Sequence, residues 1–179
     1  MNRLPIFFVT LSAGILAASL IHADSWEAPS PKVFASKYGG YGFKMIPSKE
    51  STESQGVLFS LEADGKEKKL WEAKLVNIPH WVLVSDCGKY VVTIDTYANL
   101  GYKHVLVVYG EKGKIIADFA LKDLLSEDEI LKNVDHSVSS RHWADDTKFE
   151  FAPTNDQLAL TFKWGKKMAI SLTTGKIEP

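Results

Sequence analysis

Short runs rich in Val, Ile, Leu and aromatic residues alternate along most of the chain with clusters of Asp, Asn, Gly and Lys, the signature of antiparallel strands joined by tight turns. Phe43-Lys44-Met45-Ile46-Pro47 reads as a strand. Val57 to Glu62 runs into Ala63-Asp64-Gly65-Lys66 and returns through Leu70 to Val76 as a hairpin. His80 to Ser85 turns at Asp86-Cys87-Gly88-Lys89 into Tyr90 to Asp95. After a polar loop over 96–103, His104 to Tyr109 turns at Gly110 to Lys114 into Ile115 to Phe119. These last four runs predict a four-stranded meander. Further strands are expected near 148–152, 158–163, 167–172 and 176–178.

Helical spacing occurs only between Leu121 and Val134. Ser126 followed by Glu129 forms a capping box, so two short helices should meet there. Leu124, Leu125, Ile130, Leu131 and Val134 are expected to share their apolar face. The fold class that follows is mainly β: antiparallel meander sheets in an open propeller-like or sandwich arrangement, with a short helical insertion near 121–134.

The start of the chain differs. Arg3 precedes an apolar run from Leu4 to Ile21, and Ala23 precedes polar Asp24, the layout of a signal peptide over 1–23. An uncleaved membrane anchor is the alternative, because the run lies near the lower length limit for a span of about 20 residues. Pro29-Ser30-Pro31 then implies an extended N-terminal arm over 24–42. Tyr38-Gly39-Gly40-Tyr41-Gly42 reads as a turn, since a phosphate loop would continue into a lysine and a helix. A single β-rich domain is expected over 43–179. The implied location is exported, periplasmic or secreted, with no stable membrane span once the signal is removed.

Charge and cysteine content narrow the picture. Without Arg3 the chain keeps 20 of its 21 basic residues against 22 acidic ones. That balance argues against a nucleic-acid partner. Cys87 is the only cysteine, so no internal disulfide can form and the core alone must hold the domain. Its position in a tight turn predicts a buried, inert thiol.

A repeat is visible in the strand groups. Trp81 to Ser85, a polar turn and Tyr90 to Ile94 match Phe149 to Pro153, Thr154-Asn155-Asp156 and Leu158 to Phe162. Val105 to Val108 with Gly110 to Lys114 matches Met168 to Ser171 with Thr173 to Lys176, and Val57 to Trp71 gives a weaker third copy. On Ser85-Asp86-Cys87-Gly88-Lys89-Tyr90, Gly113-Lys114 and Gly175-Lys176 the units resemble β-propeller blades, and a propeller needs about four blades to close. Residues 84–125, with Val138-Ser139-Ser140-Arg141-His142-Trp143, resemble small exported bacterial proteins of unassigned function. That resemblance implies no activity, and it leaves a homo-oligomer as one way to cover exposed edges.

Candidate chemistry concentrates in two loops. Residues 135–146 combine His136, His142, Asp145 and Arg141. His136, His142 and Asp145 are the candidate metal ligands. Arg141, His142 and Trp143 are candidate ligand-binding residues, with Trp143 equally suited to plugging the core. Tyr97 and Tyr102 in the 96–103 loop are the other binding candidates. No Gly-x-Ser-x-Gly elbow occurs, no catalytic residue is assigned and no cofactor motif appears. The sequence therefore favours a non-enzymatic binding or interaction module for a protein, peptide or carbohydrate ligand. A hydrolase or metal-dependent enzyme using the 135–146 loop is the alternative.

Overall fold

The computed structural model describes residues 26–48 and 53–178; the signal-peptide reading over 1–23 lies outside them. Twelve strands and two helices are present among the described residues. Sheet 1 contains β1 (Lys32–Ala35), β2 (Tyr41–Pro47), β3 (Ser54–Leu61) and β4 (Glu67–Leu75). Sheet 2 contains β5 (Pro79–Val84), β6 (Val91–Thr96), β7 (Leu106–Tyr109) and β8 (Ile115–Phe119). Sheet 3 contains β9 (Lys148–Phe151), β10 (Gln157–Thr161), β11 (Lys167–Ser171) and β12 (Ile177–Glu178). Each is an antiparallel meander in chain order, so the fold is mainly β with three successive copies of one unit. Part of the expected arm is β1, which pairs with β2 from Lys32↔Met45 to Ala35↔Gly42.

The first turn of each unit has one geometry. Ser36 N–H bonds Tyr41 O, Gly39 N–H bonds Ser36 O, and Tyr41 N–H bonds Ser36 Oγ. Ser85, Gly88 and Tyr90 repeat all three bonds. Ala152, Asn155 and Gln157 repeat the two backbone bonds, with Asn155 in the left-handed region that Gly39 and Gly88 occupy. The repeat therefore begins with β1, and the unit that reads as the weakest in the sequence is complete. The turns also touch: a Cβ on Gly88 would lie 2.2 Å from the Tyr41 ring, so the second turn leaves room for the tyrosine of the first.

Alternation along the central strands explains the stacking. Val82, Val84, Val91, Val107 and Tyr109 join Phe43, Leu58, Trp71 and Leu75 of sheet 1 in one core. Val92, Ile94, Leu106 and Val108 point the other way and meet Leu158, Leu160 and Ile170 of sheet 3 in a second core. Sheet 2 is thus buried on both faces, which is why its strands are nearly continuous apolar runs. The far side of sheet 1 carries ion pairs instead, Lys44 with Glu67, Lys69 with Glu72 and Lys74 with Glu53. Such exposed pairs add little stability, and they mark a solvent face.

Helices α1 (Leu121–Leu124) and α2 (Glu127–Asn133) close the second core through Leu121, Leu124, Leu125, Ile130 and Val134. Ser126 caps α2 as the sequence predicts, its N–H bonding Glu129 Oε2 at 2.9 Å and its Oγ accepting from Glu129 N–H at 3.3 Å. Leu131 departs from the expected apolar face and is 83 % exposed. Once α2 starts at Glu127, Ile130 and Val134 face the core and Leu131 falls on its flank. Cys87 is likewise partly exposed rather than buried, with Sγ 3.4 Å from Ser85 Oγ. No helix among the described residues is long and apolar enough to cross a membrane.

Candidate functional site

The β6–β7 connection leaves the sheet through a strained neck. Asp95, Ala98 and His104 all adopt positive φ, at 57°, 59° and 54°. Non-glycine residues hold this conformation only where their surroundings impose it. Asn77 supplies that constraint. It is buried, and its Nδ2 donates to Asp95 O at 2.9 Å, Thr96 Oγ1 at 3.2 Å and His104 O at 3.3 Å. Thr96 Oγ1 in turn donates to Lys103 O, so both ends of the loop are tied to one side chain.

Inside the neck lies a carboxylate. Asp95 is 3 % exposed, and its Oδ1 accepts from Gly101 N–H at 2.8 Å. Burial is the main cause that lifts its pKa to about 6; the Trp143 indole and the Gly101 N–H oppose the rise, Asp145 adds to it and His142 opposes it. Trp143 Nε1 is itself buried without a hydrogen bond of ordinary length and angle, so its dipole acts on the carboxylate at longer range.

These contacts join the two loops singled out by the sequence. Arg141 N–H bonds Leu100 O at 3.1 Å, and the Arg141 guanidinium lies 4.8 Å from the centre of the Tyr102 ring. Gly101 makes the junction possible. A Cβ there would lie 2.4 Å from Arg141 O, and its φ is +73°. Gly101→Ala is expected to cost about 2 kcal/mol, from the left-handed backbone and displacement of the second loop. Gly39→Ala, at φ +75° but with open space around the added carbon, should cost about half as much. Chemical denaturation of the two variants checks the order; equal losses would mean that the loops are not locked together at Gly101.

The candidate residues separate accordingly. Trp143 is 1 % exposed and packs edge-on against Phe149 at 5.8 Å, so it is a core residue and offers no face to a ligand. Arg141 and Tyr102 meet each other. Tyr97 packs against Trp26 at 5.5 Å, and Trp26 also meets His80 at 6.2 Å, which seats the extended segment before β1 on the loop. His80 has its pKa lowered by burial and by Lys32, against an opposing effect of Asp145.

His142 Nδ1 lies 3.6 Å from Asp145 Oδ2, beyond hydrogen-bond reach. His136 forms an isolated bridge with Arg141. Among the described residues no three His, Cys, Asp or Glu side chains come together to hold a metal ion, so His136, His142 and Asp145 do not assemble as a ligand set. Asp135 is held below its ordinary pKa chiefly by Lys163, whose Nζ lies 2.5 Å away. That pair ties the loop to sheet 3.

A groove of about 760 Å³ opens between the 96–104 loop and the segment before β1. Ala28, Pro29, Val76 and Ile78 supply apolar surface, while Tyr97, Asn99, Lys103 and His104 bring polar groups to its edge. His104 is oriented by Asp118, with Nδ1 at 2.8 and 2.9 Å from the two carboxylate oxygens. Asp95, Asn77 and His104 carry the loop's structure but escape sequence reading, because Asp95 ends a β-run like any strand-terminal aspartate and Asn77 belongs to no motif. Neither a protein-family model nor a curated protein matches the chain.

Proposed function

We propose that the chain is an exported, non-enzymatic binding module that recognises a protein, peptide or carbohydrate ligand at the groove beside the 96–104 loop. One observation carries this reading: a loop fastened at its neck by Asn77 presents Tyr97, Asn99, Lys103 and His104 along a concave, partly apolar surface. Binding sites combine such apolar surface with a few fixed polar groups. Fastening the loop beforehand reduces the ordering cost of association. The apolar run behind Arg3 supports export.

Glycan and peptide arrays probed with the purified full chain test the proposal. A ligand class should emerge whose binding falls at least about tenfold in Asn99→Ala/Lys103→Ala, a pair of exposed positions, with no change in Tm. Retained binding would move recognition elsewhere. Turnover of a ligand that disappears in His104→Ala would make the protein an enzyme.

A further inference from the structure

The first strand of every sheet is an edge. β1, β5 and β9 each stand at the end of their strand order, and all three line one groove of about 820 Å³ that shares no lining residue with the loop groove. Their backbones are not equally available. Ser85 N–H bonds Tyr90 O, so Leu83 and Trp81 pair with β6, while the backbone groups of Val82 and Val84 turn away from it. Val82 and Val84 are buried, on the side where β5 approaches β1.

β9 is more open. Ala152 N–H bonds Gln157 O, which turns the N–H and C=O of Phe149 and Phe151 away from β10. Both residues are only half-buried, and no backbone hydrogen bond reaches these groups among the described residues. Beside them Trp81 is 47 % exposed, with its ring 6.1 Å from Phe149, and Val33 is 64 % exposed. β9 has neither a bulge nor an internal proline, two common protections of an edge.

We propose that this groove binds an extended peptide segment of a partner protein, which adds as a strand to the free edge of β9 and rests its side chains on Trp81. The chemistry of the edge selects the occupant. Alternating N–H and C=O groups at strand spacing match another extended backbone, and the exposed aromatic favours apolar side chains at alternate positions. A second copy that offers its β4, β12 or β8 edge fits poorly. The β4 edge carries Glu67, Lys68, Lys69, Glu72 and Lys74, β12 has two residues, and β8 is covered where Gly175 packs on Ala117 and Ile116. Over the four residues of β9 the contact is about 13 Å long, so a short linear segment suffices.

A random linear heptapeptide library panned against the immobilised full chain provides the probe, and the enriched peptide is then synthesised. Bound peptide should slow amide exchange of Phe149 and Phe151 at least about tenfold. N-methylation of one alternate set of its residues should abolish binding and that of the other set should spare it. Trp81→Ala should weaken binding about tenfold at unchanged Tm. Failure to enrich a peptide, protection confined to 96–104, or equal tolerance of both N-methylated sets would overturn the proposal. So would protection of Phe149 and Phe151 that rises with protein concentration alone, which would assign the edge to a second copy.

Discussion

Replacing Trp143 by alanine is expected to destabilise the protein by about 4 kcal/mol, the usual cost of removing a fully buried tryptophan. The ring sits in the second core against Phe149 and Phe162, 1 % exposed, so truncation leaves a cavity in packed surroundings. At roughly 2–4 °C per kcal/mol for a chain of this size, Tm should fall by about 8–16 °C. Trp143→Phe retains aromatic packing and gives up no hydrogen bond of ordinary geometry, so less than half of that loss is expected. Thermal unfolding followed by circular dichroism measures both. A loss below about 1 kcal/mol for alanine would return Trp143 to the surface and restore it as a ligand-facing aromatic.

Asp95 should give the protein an inverted acid response. Its carboxyl has a pKa of about 6 in the folded chain against an ordinary value of 3.8, so between these values the folded state binds more protons than the unfolded state. Stability contributed by this group therefore falls as pH rises through that window, by about 3 kcal/mol in all, and is regained on acidification. Other groups titrate as well; the difference between wild type and Asp95→Asn isolates Asp95. Asparagine keeps an acceptor for Gly101 N–H and removes the buried charge, so the variant should be the more stable protein at pH 7.5 and lose that advantage by pH 4. Urea unfolding across pH 4–7.5 tests this. A difference that does not vary with pH would show that Asp95 is solvated or paired more closely than its burial implies.

The architecture was largely legible because its signals are local. The 80–119 meander, the sheet 3 strands and the Ser126–Glu129 box each depend on residues close in sequence, and each forms as expected. β1 was hidden because Lys32–Ala35 has only four residues between Pro31 and the Ser36 turn, and it reads as part of the arm. Its identity is carried by Ser36, Gly39 and Tyr41, which repeat the spacing of Ser85, Gly88 and Tyr90 under a masking run of glycines. The site was legible only by region. Both loops stood out for their composition, yet their joining depends on Gly101 approaching Arg141, about 40 residues further along the chain, and on Asp95 turning inward beneath them, and no local pattern encodes either.

The separation of roles within the 135–146 loop follows from the same geometry. The backbone of Arg141 holds the 96–104 loop from behind, and Trp143 lies in the core where it acts on the Asp95 carboxylate, so substitutions there should act on stability first and on binding through it. Residues at the exposed edge of the groove should act in the opposite order. This contrast distinguishes a preformed recognition loop from a solvated connection.

The most direct test of recognition at the loop end is an NMR titration of the full chain with the best array ligand. Amide shifts confined to residues 26–30 and 96–104, absent in Asn99→Ala/Lys103→Ala, are the predicted result. Shifts centred on 135–146 with those loop residues silent would contradict the account.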